Sequence, residues 1–108
     1  MQSEKLKLLG FSSSIRGALY MDSVLRIIGH AKTVRMMDLY ADAAKEFKTH
    51  PENISSGIRY AIKKWWRIAP DDVKKKHFRM NYNLGQPPTN KAFFSYIVSE
   101  NVNAFKED

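Results

Sequence analysis

Hydrophobic positions along this chain recur at the three- and four-residue steps of a helix, and no stretch shows the strict alternation of a half-buried strand. Ser3 can cap a short helix carrying Leu6, Leu8 and Leu9, which Gly10 ends. Phe11-Ser12-Ser13-Ser14 reads as a loop. A second helix spans about 17–30 and turns Leu19, Tyr20, Val24, Ile27 and Ile28 inward. A third, over 33–39, contributes Val34 and Met37, with Met36 as a further candidate, and a short helix over 40–47 follows with Ala43, Ala44 and Phe47. After a tight connection at 48–50, a longer helix reaches about Trp66. Pro70 breaks the chain, Asp71 or Asp72 can cap a short helix through Phe78, and 81–88, rich in Asn, Gly and Pro, reads as a loop. Thr89 or Asn90 caps a last helix over about 90–104, carrying Phe93, Phe94, Ile97, Val98 and Val102. The expectation is an all-α fold: one domain over 1–108, a compact bundle of about six helices.

The segment from Thr49 carries the sharpest local pattern. Thr49-x-x-Glu52 predicts a capping box, with Pro51 in the first turn where its missing N–H costs nothing. Beyond it Ile54, Ile58, Ala61, Ile62 and Trp65 form one apolar stripe. At about 100° per residue, the opposite side presents Asn53, Ser56, Arg59, Tyr60 and Lys63. A short Ala-containing helix, a tight turn and this helix predict a helix-turn-helix over about 40–66, with Ala44 and Ile54 holding the pair together. Lys48 stands in the turn where Gly is common. Adjacent Trp65 and Trp66 diverge on a helix, so Trp65 is expected in the core and Trp66 over a neighbouring helix.

Charge sharpens the reading. The chain has 18 Lys and Arg against 11 Asp and Glu, a net of +7. Between Arg59 and Arg79 stand eight bases (Arg59, Lys63, Lys64, Arg67, Lys74, Lys75, Lys76, Arg79) and two acids, Asp71 and Asp72, so 8 − 2 = +6 of the surplus lies there. A polyanion is the partner such clustering favours, because cations near a phosphate backbone release condensed counterions. Double-stranded DNA is therefore the expected partner. Asn53, Ser56, Arg59 and Tyr60 are the candidate base readers, and Lys48, His50, Lys63, Lys64, Lys74, Lys75 and Lys76 the candidate phosphate contacts. Interleaved basic and aromatic residues over 59–79 leave single-stranded RNA as a minor option.

Other classes find less support. The chain has no cysteine, which excludes disulfides, thiol nucleophiles and Cys-based zinc sites. His30, His50 and His77 stand far apart without metal-ligand spacing, and no phosphate-binding Gly-rich loop or nucleophile motif occurs. No enzyme, cofactor or metal is expected. No apolar run approaches the roughly 18 residues of a membrane span, and no secretion signal opens the chain. A cytoplasmic location without membrane association follows as the expectation.

Three stretches carry a family likeness: Ile15-Arg16-Gly17-Ala18-Leu19-Tyr20; the run Leu39 to Phe47 leading into Ile58-Arg59-Tyr60-Ala61-Ile62; and Pro88-Thr89-Asn90 followed by Phe93. In order and spacing the chain resembles the C-terminal effector domain of the master response regulator of sporulation in endospore-forming bacteria. The resemblance implies a six-helix domain with a helix-turn-helix that binds a short promoter element, as a dimer or in tandem copies, and touches the polymerase sigma subunit. It implies arginines on the reading helix; Arg59 is retained, whereas Asn53 and Ser56 stand at expected arginine positions and Tyr60 at an expected histidine. The sigma contact would fall at 67–82. The receiver domain of such regulators would be absent, the effector domain being either standalone or excised. The alternative function is a protein-interaction module that binds or antagonises a transcription regulator or the sigma subunit.

Overall fold

Every regular element among the described residues (6, 9–11, 16–28 and 35–98 of the computed structural model) is helical. Six helices follow in order: α1, Arg16–Ile28; α2, Met36–Phe47; α3, Pro51–Ile68; α4, Asp71–His77; α5, Arg79–Leu84; and α6, Asn90–Val98. Leu6 and Leu9 are helical too, and Gly10, at φ 97°, ends their turn. The Phe11 N–H reaches back to the Leu6 carbonyl at 3.0 Å, and both side chains are buried. That is the six-to-one bond of a Schellman closure with its apolar contact.

α3 runs through the middle of the bundle. α1 and α2 pack on it and on each other, α6 covers another side, and α4 pairs with α5. The stripe of α3 is fully inward: Ile54, Ile58, Ala61, Ile62 and Trp65 are all buried. Around Trp65 the core is aromatic, with Phe11, Phe78 and Phe93 at centroid distances of 5.5, 5.9 and 6.0 Å. Such pairs add about 0.5–1.5 kcal/mol each beyond simple burial. The Trp65 indole N–H donates to the Leu9 carbonyl at 2.6 Å, anchoring the N-terminal turn to α3. Trp66 is buried as well, since Lys74 of α4 lies over its ring at 5.2 Å. His77 Nδ1 and the Tyr96 hydroxyl share a hydrogen bond that ties α4 to α6.

Several expectations need correction. The two helices expected over 33–39 and 40–47 form one continuous α2, because neither Gly nor Pro interrupts the run and Leu39 and Ala43 continue one buried row. Part of the expected loop at 81–88 is helical: α5 spans Arg79–Leu84 between the buried Phe78 and Gly85, whose positive φ ends it. Leu19 and Met37 are exposed. The buried row of α1 is Gly17, Met21, Val24 and Ile28, and Leu19 points about 200° from Gly17. Met37 lies off the row of Leu39 and Ala43 in the same way, while Met36 is partly buried. Neither Asp71 nor Asp72 caps α4: Pro70 precedes it, and Asp71 meets Lys74 at 4.0 Å. At α6 the Thr89 hydroxyl accepts the Ala92 N–H at 3.1 Å, as a cap should. The expected contributions of Ser3, Leu8, Val34 and Val102, the loop over 12–14, and the last helix past Val98, lie outside the described residues.

Candidate nucleic-acid interface

The turn that aims α3 is built from three consecutive residues. Lys48 sits in the left-handed region at φ 54° and ψ 49°. Its N–H reaches the Lys45 carbonyl at 3.4 Å, and the Thr49 N–H reaches the Ala44 carbonyl at 3.0 Å. This pair of bonds is a Schellman closure made without glycine. Because the Thr49 N–H is spent on α2, Thr49 belongs to the turn and His50 is the residue flanking α3. The expected Thr49–Glu52 capping box therefore does not form. α3 starts without a side-chain cap, Pro51 occupies its first turn, and the Thr49 hydroxyl accepts from the Asn53 amide at 2.8 Å.

α2 and α3 form the helix-turn-helix pair, with Ala44 and Ile54 both buried in the core that joins them. On the outward side of α3, Asn53, Ser56, Arg59, Tyr60, Lys63 and Lys64 are all exposed. Ser56, Tyr60, Lys63 and Arg67 follow one another at four- and three-residue steps, so they share a single outer row. Lys48 and His50 are exposed at the N-terminal end of that row. The structure therefore brings the four candidate base readers and four of the candidate phosphate contacts onto one helix and its leading turn.

The three remaining lysines belong to α4 and differ from one another. The Lys74 side chain is 14% exposed, held between the Trp66 ring and Asp71. Lys75 lies over the Tyr82 ring at 5.3 Å, and Lys76 is exposed. Cation–ring contacts of this kind keep the ammonium charge while fixing its position.

Two grooves flank the outer row. One, of about 430 Å³, lies on the α1 side, where Arg16 and Tyr20 face Thr49, Asn53 and Tyr60. The other is small, about 60 Å³, between Arg59 and Lys63 of α3 and the segment Pro87–Asn90. Asn90 fixes that second flank: its amide donates to the Tyr40 hydroxyl at 3.0 Å and to the Ser55 carbonyl at 3.1 Å. Arg67 continues the row and Arg16 lines the groove beside it, and neither is among the candidate DNA contacts named from the sequence. Helical spacing from Lys63 would have found Arg67. Arg16 has no linear signal, since its proximity depends on how α1 crosses α3.

Among the described residues no helix is long and apolar enough to cross a membrane, and no group of three or more His, Asp or Glu side chains is placed to hold a metal ion. The family model described as Sporulation initiation factor Spo0A C terminal matches residues 3–101. No curated protein matches the chain.

Proposed function

Because the chain belongs to the Sporulation initiation factor Spo0A C terminal family of DNA-binding effector domains, we propose that it regulates transcription by laying α3 in the major groove of duplex DNA. The observation that carries this reading is the division of α3 into a wholly buried apolar stripe and an outer row free of acids beyond Glu52. Asn53 reads adenine with the amide hydrogen and carbonyl that its bond to Thr49 leaves available. Arg59 reads guanine or holds a phosphate, Ser56 adapts to either, and Tyr60 borders the bases. Lys48, His50, Lys63 and Lys64 hold phosphates and fix register. Lys75 and Lys76 of α4 hold further phosphates, and Lys74 does so from its place over the Trp66 ring. Asn53 and Ser56 give a target that differs from that of arginine-bearing relatives. Binding as a dimer or in tandem copies in the cytoplasm completes the reading.

Duplex binding followed by anisotropy across a salt series tests it. Lys63→Ala should flatten the log–log salt slope by roughly 1 unit, and an unchanged slope removes Lys63 from the contact set. A second reading, docking on a protein such as the polymerase sigma subunit, is favoured by Met80 and Leu84, exposed one turn apart on α5 beside a basic α4. Selection from a random duplex pool separates the two: a DNA reader enriches a motif, and an interaction module enriches none.

A further inference from the structure

The larger groove beside α3 has a constructed floor. A Cβ placed on Gly17 would come within 2.4 Å of the Gly57 carbonyl oxygen and 2.7 Å of the Ala61 Cβ. A Cβ on Gly57 would meet the Tyr20 ring at 2.8 Å. Two glycines thus let α1 approach α3 closely, and the residue before Gly17 is carried to the edge of the reading helix. That residue is Arg16. It is exposed, the groove it lines holds no acidic side chain, and no carboxylate pairs with it among the described residues. Opposite it stand two hydroxyls. Thr49 accepts from Asn53 and keeps its own hydrogen to donate, and Tyr60 is 58% exposed.

A guanidinium and two hydroxyl donors around an open groove match the oxygens of a phosphodiester. The groove also continues into the outer row through Asn53 and Tyr60. We propose that this groove seats the sugar–phosphate backbone of duplex DNA, with Arg16 of α1 gripping a phosphate beside the bases that α3 reads. The inference rests on the duplex-DNA reading above. It adds a contact from outside the helix-turn-helix, on the side of α3 away from the Pro87–Asn90 segment. Since the contact is to the backbone, its energy is shared by all sequences.

The test compares the unaltered chain, Arg16→Gln, Arg16→Lys and Lys63→Ala on a mixed-sequence duplex and on a duplex recovered by selection. Circular dichroism and tryptophan fluorescence monitor folding. Arg16→Gln should lower the log–log salt slope by roughly 1 unit and weaken both duplexes by the same factor, while Arg16→Lys restores the slope. Methylphosphonate substitution at single positions should reveal one phosphate whose neutralisation weakens the unaltered chain and leaves Arg16→Gln unaffected. That last readout would not move if Arg16 merely supported the fold. A slope unchanged in Arg16→Gln, with Lys63→Ala flattened, overturns the groove proposal alone. A loss confined to the selected duplex overturns it as well, making Arg16 a base reader. If the unaltered chain binds no duplex at low salt, the parent reading falls and the groove falls with it.

Discussion

The side-chain amide of Asn53 donates to the Thr49 hydroxyl, 2.8 Å away across the start of α3. An asparagine that reads adenine needs one N–H and its carbonyl oxygen aimed together at a base edge. Thr49 takes the other N–H and so restricts the rotamers of Asn53 before DNA arrives. Asn53→Ala should cost about 1–3 kcal/mol of discrimination at one base pair. Thr49→Val keeps the backbone bond to Ala44 but frees the amide, so it should relax selection at that same base pair by less. Neither change should alter the salt slope. Sequencing of duplexes enriched from a random pool checks both, and a relaxation at unrelated positions would count against the pairing.

Lys48 serves two opposed demands. Its left-handed backbone closes α2, a conformation that costs a residue with a Cβ about 1–2 kcal/mol. Glycine would remove that strain while adding about 0.5–1 kcal/mol of unfolded-state entropy. Lys48→Gly should therefore raise stability by about 0.5–1 kcal/mol and, through loss of the ammonium, reduce the salt slope of duplex binding by roughly 1 unit. Urea unfolding and salt titration of the same variant measure the two effects. A rise in stability with an unchanged slope would leave the turn explained and remove Lys48 from the phosphate contacts.

The α3 stripe was legible in sequence because periodicity alone decides which side of a long amphipathic helix is buried. The row opposite it followed from the same geometry. Less legible was what depends on neighbouring elements. The start of α3 moved by one residue because a backbone bond to Ala44 consumed the Thr49 N–H, and no side-chain pattern records that bond. α5 was hidden by its two asparagines, poor helix formers held in place by the buried Phe78 and the closure at Gly85. Leu19 and Met37 look like core by type and lie outside by angle. Arg16 entered the site only through the Gly17–Gly57 approach, a contact between residues remote in sequence.

Glu46 of α2 binds two groups of α1 at once. The Arg26 guanidinium donates to Oε2 at 2.8 Å, and the fully buried Ser23 hydroxyl donates to Oε1 at 2.9 Å. The Arg26 bond first, and the Ser23 bond second, hold the Glu46 carboxyl below its ordinary range. A lowered folded-state pKa means the stabilisation is complete above the unfolded-state pKa and is lost as pH falls through the folded one. The Arg26–Glu46 pair is largely solvent-exposed, which limits its contribution to about 0–1 kcal/mol. Glu46→Gln should lose that much near neutral pH, and its deficit should vanish in acid. Glu46→Ala also strands the buried Ser23 hydroxyl and should cost about 1–3 kcal/mol. Urea midpoints across a pH series decide this; a Glu46→Gln deficit that persists in acid would show that the charge is not the source.

The two glycines of the α1–α3 crossing should respond differently to one added methyl. At Gly17 the Cβ would meet backbone, the Gly57 carbonyl oxygen at 2.4 Å, as well as the Ala61 Cβ at 2.7 Å. Backbone cannot rotate away, so α1 must shift as a whole. At Gly57 the Cβ would meet only the Tyr20 ring, at 2.8 Å. That ring is a side chain, but it is 3% exposed and packed edge-on against Phe47 at 4.9 Å, so its movement is restricted. Alanine also gains about 1 kcal/mol over glycine inside a helix, which offsets part of the clash at both sites. Gly17→Ala is therefore expected at or beyond the upper end of the 1–3 kcal/mol typical of overpacking, and Gly57→Ala near its lower end. Thermal and urea unfolding give the ranking directly. The same shift of α1 should carry Arg16 away from α3, so Gly17→Ala, where it remains folded, should also lower the salt slope of duplex binding. A slope equal to that of the unaltered chain would show that the close helix approach is not what brings Arg16 to the DNA.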